Sequence, residues 1–151
     1  MNLETKIKTI IVAIIYLSIV PMAFAQSSEE KHNLKVYKQW TDLWNEGHYD
    51  LMPQIVAATY IRHEPKGNRT VTRGEYLQEI KNYREKLNMR FVNLKISADK
   101  DLIWALWTVS TTDPKTGEKN QGRGVQLYRL KEGKLVETWW MGTIDQGAWP
   151  L

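Results

Sequence analysis

The chain divides by the period of its apolar positions. Between Ser27 and Gly47, the side chains Leu34, Tyr37, Trp40 and Trp44 recur at steps of three and four, the repeat of one helix face. Ser27 and Glu30 stand ahead of them at capping-box spacing, and Gly47 ends the run. Asp50 is placed to cap a second, shorter helix over 51–58, with Pro53 tolerated in its first turn. Thr72 and Glu75 repeat the capping box, Tyr76, Ile80, Tyr83 and Leu87 follow on one stripe, and Asn88 is a stop. From Arg90 the period falls to two, which predicts strands over 90–98, 102–112, 120–131 and 134–145. Their short Asp-, Pro- and Gly-containing links favour antiparallel neighbours.

The strand from Leu102 is apolar on both faces: Leu102, Trp104 and Leu106 share one, and Ile103, Ala105, Trp107 and Val109 the other. A sheet with one wet face has no need of both. The helices are therefore expected to cover one side and a second copy of the chain the other. Gly122, Arg123 and Gly124 lie inside a strand with no helix after them, so they read as a bend in the sheet and not as a phosphate loop.

Composition narrows the class. The 151 residues, 42% hydrophobic and 25% charged with seven Trp and seven Tyr, suit one packed domain. The absence of Cys removes disulfides, thiolate metal sites and Cys nucleophiles. Lys6 and Lys8, the apolar run to Val20, and Ala23-Phe24-Ala25 have the parts of an export signal, cleaved after Ala25. The run falls short of the roughly 20 apolar residues of a bilayer span, so the mature domain, 26–151, is expected in the periplasm or medium. Loss of Glu4, Lys6 and Lys8 with the leader brings the net charge from +4 to +3. Nucleic acid is not an expected partner, because Lys81, Arg84, Lys86 and Arg90 alternate with Glu79 and Glu85 as a solvated helix face does.

Candidate chemistry sits in two places. No two of the three His have the i, i+4 spacing of a helical metal site, and neither metal nor cofactor is expected. His63 follows the second predicted helix, where it either exchanges protons with a ligand or ties the loop to backbone carbonyls. In the last strand Leu135, Glu137, Trp139, Met141, Thr143 and Asp145 share one parity, which puts two carboxylates and a large aromatic on one side. Those carboxylates either face a pocket or are a solvated strand residue and a turn former. Trp40, Trp44, Trp104 and Trp139 serve as core or as flat binding surface.

The order of three helices and a curved antiparallel sheet resembles the nuclear transport factor 2-like fold, and the details resemble its SnoaL-like branch, which includes polyketide cyclases. The matching features are Trp44-Asn45-Glu46-Gly47, Tyr60-x-x-His63-x-Pro65, Arg73-Gly74 and the run Gly133 to Trp139. The resemblance implies a cone-shaped α+β barrel open to one small, mostly apolar or carbonyl-containing molecule, often as a homodimer through the sheet. It implies that His63 and Trp139 are pocket residues. Thr143 stands where the cyclases carry their acid, and Asp145, two positions on, is the candidate replacement. Two functions follow as expectations: an exported binding protein holding an apolar ligand with Trp44, Trp104, Arg123, Trp139 and Thr143, or a cofactor-independent enzyme with His63 and Asp145 as acid and base.

Overall fold

The computed structural model describes residues 26–143; the leader expected over 1–25 and Asp145 lie outside them. Within that range the order is α1 (Ser28–Glu46), a 3-10 turn (Tyr49–Leu51), α2 (Met52–Ile55), β1 (Val56–Glu64), β2 (Gly67–Thr72), α3 (Arg73–Leu87), β3 (Arg90–Asp99), β4 (Leu102–Thr112), β5 (Lys119–Lys131) and β6 (Lys134–Thr143). The strands form one sheet in the order β2-β1-β6-β5-β4-β3. The α+β class, the two long helices and the four later strands follow the pattern read from the sequence.

The helix ends close as their capping residues require. Ser27 and Thr72 each accept from the backbone N–H three residues on, and Glu30 and Glu75 reach back to the cap N–H. Gly47 ends α1 at φ 78° and Asn88 follows α3 at φ 46°, both left-handed. At Gly47 the left-handed backbone favours glycine, and the Arg84 guanidinium packs 2.7 Å from where a Cβ would stand. Arg84 uses that approach to donate to the Asn45 carbonyl, which ties α3 to the end of α1.

The second helix is shorter than expected. It stops at Ile55, and residues 56–58 open β1 instead. From Val56 the chain is extended, with Val56 and Tyr60 fully buried, and pairs on both edges, which a helix there would forgo. Pro65 and Lys66 turn it into β2, and Gly67 takes the turn's last place at φ 121°, open to glycine alone at low cost. This hairpin separates the second helix from the third. It also makes the sheet mixed and open rather than wholly antiparallel, because β1 lies parallel to β6 while every other neighbour is antiparallel.

One face of this open, cone-like sheet is covered by the helices. Val36, Tyr37, Trp40, Leu43 and Trp44 of α1 and Tyr76 and Ile80 of α3 are buried against Tyr60, Ile103, Ala105, Trp107 and Tyr128 of the strands. Each such side chain contributes about 1.5–3 kcal/mol by leaving water. Asn45 fixes the end of α1 on the sheet edge: its amide donates to the Phe91 carbonyl at 2.7 Å and its oxygen accepts from the Phe91 N–H at 2.8 Å.

Two irregularities decide which side chains face the helices. Between Arg129↔Glu137 and Leu130↔Leu135, strand β6 holds one extra residue, Val136. Leu135 therefore shares a face with Leu130, whereas Glu137 shares one with Arg129 on the opposite side. A similar extra residue, Leu94, lies in β3. The pairing of β4 with β5 runs unbroken past Gly122, Arg123 and Gly124, and the irregularity at Gly124 lies on its β6 side.

Replacing Asn45 by Ala leaves the Phe91 N–H and carbonyl without their partner, so Asn45→Ala is expected to lower stability by about 2 kcal/mol. Urea denaturation checks it, and a loss below about 0.5 kcal/mol, the range of ordinary surface changes, would show that the anchor contributes little.

Candidate functional site

Between the helices and the covered face lies a cavity of about 510 Å³, within the range of small-molecule sites. Helices α1 and α3 supply Tyr37, Trp40, Thr41, Trp44, Tyr76 and Tyr83, and the sheet supplies Phe91, Trp107, Val109, Gln126, Tyr128 and Trp140. The rings brace one another: Trp40 meets Trp44 edge-on at 5.9 Å, Trp44 meets Phe91 at 5.2 Å, Phe91 meets Trp107 at 5.4 Å, and Tyr37 meets Tyr128 at 5.0 Å. These geometries fix the walls as well as burying area. Pro65, Lys66, Tyr83 and Trp140 are exposed and mark the mouth.

The polar end is built by strand alternation. With Tyr60 in the core, Arg62 and Glu64 fall on the same face of β1, and Arg69 comes opposite Arg62 from β2. Arg62 pairs with Glu64 and with Glu79 of α3, and Arg69 pairs with the same two carboxylates at 2.9 and 2.6 Å. The Arg62 guanidinium also lies 4.3 Å over the Tyr76 ring. Hydrogen bonding to Arg69 holds the Glu79 carboxyl below its ordinary pKa, and burial raises the Tyr76 hydroxyl to about 12. Both Glu64 and Glu79 stand in ion pairs with these two arginines.

The residues singled out in the sequence separate. Trp44 lines the cavity. His63 and Trp139 do not: they face each other across β1 and β6 on the outer side of the sheet, stacked at 4.9 Å with their rings 8° from parallel. The expectation that they share the pocket is corrected, for two physical reasons. His63 belongs to a strand whose inward residues are Tyr60, Arg62 and Glu64, and the extra residue Val136 reverses the parity of β6 after Leu135. The single face expected for Leu135, Glu137 and Trp139 is thus divided, and Trp140 takes the cavity place. Trp104 stands on the outer side opposite Leu127, 41% exposed, and Arg123 stands there opposite Thr108. Thr143 ends β6 opposite Gly124, and Asp145 lies outside the described residues.

On the outer side His63 belongs to a ladder. Its Nε2 lies 2.7 Å from Glu137 Oε1, Arg129 donates to Glu137 Oε2 at 2.6 Å, and the Arg129 guanidinium lies 4.9 Å from the Trp139 ring centre. The Glu137 hydrogen bond raises the His63 pKa. Among the described residues no group of three or more metal-ligating side chains comes together.

Of the cavity residues missed in the sequence, Arg62 and Glu64 had one legible signal, the period of two from Tyr60, hidden because 51–58 read as helix; Arg69, Tyr128 and Trp140 come from other strands.

The chain belongs to the SnoaL-like domain family, whose model matches residues 37–138. No curated protein matches it by sequence. Among solved structures it is similar to a candidate polyketide cyclase from Acidithiobacillus ferrooxidans, at 19% identity and TM-score 0.64 over 77% of this chain and 90% of that one. A SnoaL-like polyketide cyclase from Agrobacterium tumefaciens gives 16% identity and 0.62 over 75% and 91%. Bal32a, from a soil-derived mobile gene cassette, gives 13% and 0.68 over 78% and 93%. At these identities the likeness shows the fold.

Because the folded pKa of His63 is raised, its protonated form contributes stability that is complete below about pH 6.5 and is lost as pH rises through the folded value. Glu137→Gln is expected to lower the imidazole midpoint and to reduce that loss. Proton NMR titration of the His63 ring reads both proteins, and an unchanged midpoint would show that Glu137 does not set it.

With this fold and this cavity, aromatic-walled and on the helix-covered side of the sheet, the chain is a member of the SnoaL-like domain family.

Proposed function

We propose that this protein binds a small, largely apolar molecule in the cavity between α1, α3 and the sheet. The observation that carries the reading is a built wall of rings, from Tyr37, Trp40 and Trp44 to Phe91, Trp107 and Tyr128, with an ion-paired polar group at one end. A cavity kept open among so many aromatic side chains forgoes packing energy that a smaller volume would recover. Occupancy by an apolar ligand restores it.

A catalytic reading with His63 and Asp145 as a pair has less support, because His63 faces the side of the sheet away from this cavity. Within the cavity the carboxylate of Glu64 is engaged by two arginines, which suits a fixed charge better than a proton carrier. The polyketide cyclases among the similar structures keep carbonyl compounds within the range of ligands to try.

Two further parts belong to the proposal. The protein is exported, with its leader removed after Ala25. Two copies associate through the outer side, where Ile61 and Trp104 are 40% and 41% exposed and Val92 is 60% exposed. Among the described residues no helix is long and apolar enough to cross a membrane.

Titration with a small aromatic ligand is expected to quench tryptophan fluorescence. Trp140→Ala should weaken binding by more than about tenfold, or about 1.4 kcal/mol, while Trp139→Ala changes it by less than about twofold. The opposite ranking would move the site to the outer side of the sheet.

A further inference from the structure

We infer that the ligand is an acid: a flat apolar body carrying a carboxylate, seated with that group toward Arg62 and Lys66. This rests on the binding reading above and adds the chemical class. It comes from an inventory of what the cavity residues can still offer.

The acceptors at the polar end are in use. Glu64 Oε1 receives Arg69 Nη2, and Oε2 receives Arg69 Nε. Glu79 Oε1 receives Arg69 Nη1, and Oε2 receives Arg62 Nη1 and Arg69 Nη2. Gln126 Oε1 accepts from the Tyr128 hydroxyl at 2.7 Å, so Gln126 has its amide N–H groups left to give.

The donors are in surplus. Arg62 Nε and the Trp107 indole nitrogen are buried without a hydrogen-bond partner among the described residues, and both side chains line the cavity. An unmet buried donor costs about 1–3 kcal/mol, which an incoming acceptor relieves. Charge points the same way. Arg62 and Arg69 balance Glu64 and Glu79, and the ammonium of Lys66 at the mouth leaves the end one positive charge in excess. A carboxylate supplies acceptors only and meets that excess. An amine meets carboxylates already held by two arginines and a like charge.

The test compares 2-naphthoate, 2-naphthylmethanol and 2-naphthylmethylammonium, which share one ring system, by calorimetry on the purified protein. Naphthoate is expected to bind at least about tenfold more tightly than the alcohol, with the ammonium weakest. Lys66→Gln, a change at an exposed rim position, should cut the naphthoate advantage several-fold and leave the alcohol unaffected. Equal affinities for the three, or a preference for the ammonium, would overturn the inference while keeping the cavity as a binding site. A naphthoate advantage unchanged in Lys66→Gln would remove Lys66 from the anion end and overturn the charge argument. Failure of all three to bind would overturn the binding reading itself.

Discussion

The extra residue in β6 is the constraint on which the functional reading depends. A strand has a period of two, so one inserted residue transfers every later side chain to the other face. Val136 makes that transfer in mid-strand. Leu135 is thereby sealed into the core, Thr138 is buried with its hydroxyl on the Leu127 carbonyl, and Trp140 reaches the cavity. The same step sends Glu137 and Trp139 outward, where His63 and Arg129 receive them from the neighbouring strands. Without it Trp139 would stand in the cavity place of Trp140, and the cavity would gain the Glu137 carboxylate.

The two sides of the sheet consequently carry different chemistry. The covered side is a rigid apolar enclosure whose one polar end has its negative charges neutralised by arginine. The outer side carries a charged and aromatic ladder among exposed apolar residues. His63, the one histidine in the motif that resembles the family, belongs to the second. Proton transfer to a molecule in the cavity would have to cross the sheet to use it, so geometry favours holding a ligand over transforming one with this group.

Much of the fold was legible. Both long helices follow from the apolar stripes and capping boxes at Ser27 and Thr72, and the four later strands from alternation after Arg90. The stretch after Asp50 misled, because Asp50 and Pro53 do begin a helix, yet the β-branched residues Val56, Thr59 and Ile61 finish as a strand once two neighbours pair with it. Of the candidate site, Trp44 was legible because it lies on the α1 stripe. Trp139 and His63 were misplaced by parity, which a sequence shows only where no bulge intervenes. A bulge depends on the partner strand, so nothing local to Val136 announces it. The Arg62, Glu64, Arg69 and Glu79 cluster joins three elements and becomes visible only when they pack.

Ligand recognition is assigned to the covered side of the sheet and not to the outer ladder. The most direct measurement is the set of tryptophan indole N–H resonances in a nitrogen-labelled sample, assigned by single Trp→Phe variants and followed during titration with an aromatic ligand. The account predicts saturable shifts at Trp40, Trp44, Trp107 and Trp140, with Trp104 and Trp139 unmoved. Shifts confined to Trp104 and Trp139 would contradict it and place recognition on the outer face of the sheet.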